Sequence, residues 1–111
     1  MRKTLLSALV LLSFASTAQA DGLMTGAEVQ QLAPGHYHVV APGVTIEVDL
    51  GLHGKISVVT SKGERDKGHW RLEGDRFCVK FTKLLDRKEN CELLSRAGDE
   101  IKGNVLSAWR R

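Results

Sequence analysis

The stretch Gly68-His69-Trp70-Arg71-Leu72-Glu73-Gly74-Asp75-Arg76-Phe77-Cys78-Val79-Lys80-Phe81 alternates apolar and polar side chains on both sides of a Gly-Asp pair. Side chains on a strand point to opposite faces in turn, so a period of two around a turn pair specifies a β-hairpin. A two-residue turn at Gly74-Asp75 pairs Glu73 with Arg76, Leu72 with Phe77, Arg71 with Cys78 and Trp70 with Val79. In that register Trp70, Leu72, Phe77, Val79 and Phe81 share one face, and opposite charges meet on the other.

The flanking segments carry the same signal. His36 to Val40 is β-prone and ends at Ala41-Pro42-Gly43. Val44 to Leu50 alternates cleanly, with Val44, Ile46, Val48 and Leu50 on one face and Thr45, Glu47 and Asp49 on the other. Gly51 to Gly54 reads as a turn and Lys55 to Ser61 as the return strand, with Leu50 opposite Ile56. Lys62 to Lys67 mixes both charge signs and reads as a solvated loop. Cys91 to Arg96 and Glu100 to Val105 are further strands about a turn at Ala97-Gly98-Asp99. The one helix signal is Thr25-Gly26-Ala27-Glu28, a capping box followed by Val29 and Leu32 on one face and stopped by Pro34-Gly35. Every connection is short, which suits an antiparallel meander. The fold class is therefore mostly β: six or seven strands curled into a small barrel or half-barrel, with one short N-terminal helix.

The first twenty residues are of another kind. Arg2 and Lys3 precede an apolar run from Leu5 to Ala15, and Ala18-Gln19-Ala20 ends it with small residues at cleavage spacing. That order reads as a cleavable signal peptide over residues 1–20, leaving a single small β domain over residues 21–111 in the periplasm or secreted, with no transmembrane segment. Two of the sixteen Lys and Arg leave with the signal, so fourteen face thirteen Asp and Glu in the mature chain. Near-neutrality with interleaved signs argues against nucleic acid as a partner. Cys78 and Cys91, the two cysteines, are then expected in an oxidising compartment, where a disulfide closing their loop stabilises by about 2–3 kcal/mol. A two-cysteine metal site or a reactive thiol is the rival reading, and the spacing fits no zinc pattern.

Gly68-x-Trp70-x-Leu72-x-Gly74-Asp75-x-Phe77-Cys78, with Cys91 on the next strand, resembles small exported proteobacterial proteins of a domain-of-unknown-function family. The resemblance implies a periplasmic β-barrel-like module. It brings no activity and no functional residue.

His36 and His38 are two apart on one strand and point the same way. A four-residue loop from Ala41 to Val44 sets His38 opposite Glu47 and His36 opposite Asp49, on an outward patch suited to zinc or copper. A three-residue loop instead turns both imidazoles into the core. The plain reading of the outward patch is a solvated face with cross-strand ion pairs. His53 and His69 lack a partner at metal spacing, and Trp70, Phe77 and Phe81 read as core before they read as a pocket lining. No nucleophile elbow, no phosphate-binding glycine loop and no paired acid/base carboxylates are present, and Trp109-Arg110-Arg111 reads as a frayed tail. The sequence thus points to a non-enzymatic module without a cofactor, binding an envelope protein, a cell-wall component or a small ligand. The alternative is a transition-metal-binding protein using His36, His38, Glu47 and Asp49.

Overall fold

The computed structural model describes residues 21–111, and the signal segment read at 1–20 lies outside them. Ten antiparallel strands form one sheet: β1 (Gly22–Leu23), β2 (Gly35–Ala41), β3 (Val44–Leu50), β4 (Lys55–Thr60), β5 (Arg65–Glu73), β6 (Arg76–Phe81), β7 (Asn90–Leu93), β8 (Ser95–Ala97), β9 (Glu100–Lys102) and β10 (Ser107–Arg110). Among the described residues the one α-helix, α1, covers Gly26–Gln30. Spatial order is β1-β8-β9-β10-β2-β3-β4-β5-β6-β7, so the meander runs from β2 to β7 and resumes at β8 beside the opposite edge. Leu94 alone separates β7, one edge of the sheet, from β8, which lies next to the other edge, and Leu94 is buried, so the sheet curls into a nearly closed barrel.

The central hairpin has the register its alternation dictates, from Glu73 opposite Arg76 to Trp70 opposite Val79. Trp70 is buried, stacks on Phe77 with ring centroids 5.9 Å apart and donates its indole N–H to the Gly51 carbonyl at 3.0 Å. The aromatics are core, as expected. A Cβ on Gly68 would overlap the Lys80 carbonyl, so a glycine is required where β5 and β6 fold tightly against each other.

The capping box forms as read: the Thr25 side chain accepts from the Glu28 N–H while Glu28 bonds the Thr25 backbone. This short helix would not persist alone. It is held by Val29 and Leu32 in the core, and by Asp75, whose carboxylate accepts the Gly26 N–H at 2.7 Å. Asp75 thus ties the helix to the hairpin turn.

Cys78 and Cys91 stand opposite each other on β6 and β7 and form the expected disulfide. It lies on the outer side of the barrel, where Cys78 is nevertheless fully buried.

Three sequence readings change. Lys62–Lys67 is a solvated loop only as far as Glu64: β5 starts at Arg65, and Asp66 is buried. The Asp66 carboxylate accepts the backbone N–H groups of Lys67, Lys83 and Leu84, each at 2.8 Å, and the Thr82 hydroxyl. A charge-rich string looked solvated because three of the four partners that satisfy Asp66, from Thr82, Lys83 and Leu84, lie sixteen or more residues away, beyond any local pattern. The second change is at the C-terminus. Residues 107–110 are a strand between β9 and β2, and the strand read over 100–105 stops at Lys102. Arg110 donates to the Tyr37 hydroxyl (2.9 Å) and the Pro34 carbonyl (2.8 Å), with its guanidinium 5.3 Å from the Tyr37 ring centroid, so the tail is clamped. Third, the single strand read over 91–96 is broken at Leu94, and with β1 and β10 the strand number rises above the six or seven expected.

Candidate functional site

The β2–β3 hairpin turns at Pro42-Gly43, and Gly43 adopts φ 74°, a conformation open to glycine and strained for other residues. This connection, with Ala41 paired to Val44, is the four-residue alternative, so both histidines face out. His38 stands opposite Glu47 and His36 opposite Asp49.

Glu47 is the hub of this face. The Arg111 guanidinium donates Nε–H to its Oε1 at 3.0 Å and Nη2–H to its Oε2 at 2.9 Å, a two-point fork. His36 Nε2 lies 3.2 Å from Oε1 and His38 Nδ1 lies 2.6 Å from Oε2. A carboxylate only accepts, so both ring nitrogens carry their protons where they meet it. Arg111, then the histidine hydrogen bonds, hold the Glu47 carboxyl down to about 2. Asp49 is farther off, with His36 Nδ1 at 3.8 Å.

Of the four residues proposed from the sequence as metal ligands, His36 and His38 each meet Glu47 and His36 approaches Asp49, but no three of them bring ligand atoms within 4.8 Å of one another. What the sequence did not disclose is Arg111, which fills the carboxylate's second side. To ligate a metal at Glu47, each imidazole must give up the proton it shares with the carboxylate, and Arg111 must swing away. Elsewhere among the described residues, Glu73, Cys78 and Cys91 bring potential ligand atoms within 4.8 Å of one another. Those sulfurs are joined in a disulfide and offer no thiolate.

The same outer face continues across β10. Trp109 stands opposite His38 and Ser107 opposite Val40. Trp109 is 37% exposed, and beyond Val40 lies an open groove of about 410 Å³ lined by Pro42, Lys102, Val105 and Leu106 among others. Trp109 was read as part of a frayed tail because a single tryptophan before two arginines has no period; its pairing to β2 shows which way it points. His53 sits exposed in the β3–β4 turn and His69 opposite Lys80, neither close to the Glu47 cluster in register.

No family model, curated protein or solved structure matches the chain.

Proposed function

We propose that this protein is a non-catalytic binding module that works outside the cytoplasm, periplasmic or secreted, and that the outer face of β2, β3 and β10 is its recognition surface. The observation that carries this reading is the contiguity of three elements on one rigid sheet. They are a charged hub at Glu47 and Arg111, the half-exposed Trp109, and the groove of mixed lining beside Val40. Tryptophan and arginine anchors ringed by weaker contacts are the usual make-up of protein-binding hot spots. The barrel interior is occupied by Tyr37, Val39, Ile56, Val58, Trp70 and their neighbours, which argues for a partner on the outside. The disulfide and the lack of a long apolar helix among the described residues agree with an oxidising compartment. So do the signal-like leader and the resemblance to exported proteins.

The test is a photo-crosslinking amino acid placed at Val40 in cells, with Glu73 as the control position. We expect a discrete adduct from Val40 that disappears in the Trp109→Ala background. Equal labelling from Glu73, or none from Val40, would set the surface aside.

The second reading is transition-metal binding, favoured by the meeting of His36 and His38 with Glu47. Zinc or copper titrated into the purified protein should then bind stoichiometrically, release protons and require both histidines. Binding unchanged in the His36→Ala/His38→Ala variant would exclude it.

A further inference from the structure

The connection from β6 to β7 is longer and more strained than its register requires. Antiparallel neighbours can be joined by about two to five residues, whereas residues 80–89 lie between Val79 and its partner Asn90. Within them Leu85, Asp86 and Arg87 stand in succession at φ 55°, 55° and 60°. That left-handed conformation crowds the Cβ of any residue except glycine. Other turns among the described residues place a glycine in it, at Gly43, Gly54, Gly63, Gly74 and Gly98, with His53 beside Gly54 the one exception. The strained segment is pinned on both sides. Before it, Asp66 accepts the Lys83 and Leu84 N–H groups at 2.8 Å, and Leu84 packs on the core. After it, Glu89 holds Arg71 through two bonds of 2.7 Å, and Cys91 is tied to Cys78. Within it, the Lys88 N–H meets the Leu85 carbonyl at 3.0 Å. The fold makes little use of the side chains so held. Leu85 is 52% exposed, and Asp86, Arg87 and Lys88 are exposed too. Among the described residues, none of these three charges lies within 4.0 Å of an opposite one.

We propose that residues 85–88 are a preorganised recognition loop, with Leu85 as the anchor for an apolar pocket of a protein partner whose rim is acidic. Backbone strain that the fold does not need is a mark of binding and catalytic segments. A loop locked in one conformation gains by avoiding the ordering cost of association, and that gain is realised only against a surface of fixed shape. A fluid bilayer or a flexible polymer accommodates any loop conformation. Insertion into a bilayer also needs several apolar side chains, and Leu85 is the only one between the two pins. Charge sets the rim. Lys83, Arg87 and Lys88 face only Asp86 within the loop, since Glu89 is taken by Arg71, so the loop is positive and complements carboxylates. The base of the loop, at Thr82 and Lys83, reaches the groove that begins at His36, Glu47 and Asp49. Residues 85–88 line neither that groove nor the one beside Val40, so the tip makes its contact apart from the β2–β3–β10 face.

Two measurements need only the purified protein. Backbone amide relaxation should give residues 85–88 order parameters near those of the strands, about 0.85, and values below about 0.6 would overturn the proposal. Leu85→Gly should melt about 2–5 °C higher than the parent, because glycine adopts the left-handed conformation without penalty. An equal or lower melting temperature would show that Leu85 serves the fold, and the proposal would fall. The partner is sought in cells with a photo-crosslinking amino acid at Lys88, whose own backbone is extended at φ −101°, and with Glu73 as the control position. A discrete protein adduct is expected from Lys88 alone. It should fall by roughly tenfold in Leu85→Gly and Leu85→Asp, and by roughly fivefold in Arg87→Glu. Leu85→Met should keep it within about twofold, and Trp109→Ala should leave it unchanged. Four outcomes would overturn the proposal: no adduct, an adduct indifferent to Leu85→Gly and Leu85→Asp, one lost in Trp109→Ala, or Leu85-dependent binding of the purified protein to phosphatidylglycerol vesicles.

Discussion

Two carboxylates, Asp66 and Glu47, are both held well below the ordinary range, by different means and for different ends. Asp66 points inward from β5 and is satisfied by the neighbouring Lys67 N–H together with two backbone N–H groups and a hydroxyl from the loop after β6. These hydrogen bonds outweigh the burial that pushes the other way. Glu47 points outward from β3 and is satisfied by side chains alone, the Arg111 fork and two imidazoles. Backbone donors cannot leave without unfolding the loop. Side-chain donors can rotate to meet another charge. The β5–β7 region is therefore built to stay shut, and the β2–β3–β10 face to exchange partners.

The contrast predicts a gradient of effects. Replacing both Cys78 and Cys91 by Ser, within the closed region, should cost about 2–3 kcal/mol and lower the melting temperature by roughly 10–20 °C. Next is Asp66→Ala, which leaves the Lys67, Lys83 and Leu84 N–H groups and the Thr82 hydroxyl without their acceptor. It should melt roughly 5–10 °C lower and speed amide exchange at Lys83 and Leu84. A melting temperature within a degree of the parent would show that Asp66 is not a latch.

Glu47→Gln should shift melting by only about 1–2 °C at neutral pH, as expected of an exposed ion pair. Its interest is in acid. The Glu47 carboxyl sits at about 2 in the folded protein against an ordinary 4.5. The unfolded chain therefore takes up the proton first as pH falls. The stability contributed by Glu47 is complete above about pH 4.5 and disappears as pH approaches 2. The melting difference between the parent and Glu47→Gln should close over that window. The corresponding difference for Asp66→Asn should persist to lower pH, since Asp66 is held lower still. If the two differences close together, the two carboxylates are not of different kinds. Trp109→Ala should have the smallest effect on stability, about 1 °C or less, because the side chain is on the outer face. Its loss should be seen in partner crosslinking alone.

Legibility in the sequence followed the range of the interactions. The β5–β6 hairpin was readable because its pairing is local, and slipping it by one residue would turn Trp70, Leu72 and Phe77 to the other face. The capping box was readable for the same reason, since Thr25 and Glu28 are three apart. The histidine patch was half readable: alternation placed His36 and His38 on one side, but the turn at Pro42-Gly43 decided which side faced water. Asp66 and Arg111 were not readable at all. Apart from the Lys67 N–H beside Asp66, their partners lie sixteen or more residues away, and a charged residue shows no difference between solvent and a distant donor until the chain has folded.

Local chemistry in the sequence by itself determined that strands β2 to β6 exist, the registers of β5 with β6 and of Leu50 with Ile56, the cysteine pair and the helix cap. Each rests on alternation, turn residues or capping groups within a few positions of one another. Tertiary structure alone decided that the strand read over 91–96 breaks at Leu94 into β7 and β8, that the last residues form β10 beside β2, and that Glu47 belongs to Arg111. Those outcomes come from closing the sheet, which brings the C-terminal strand to β2 and satisfies edges that no local pattern encodes.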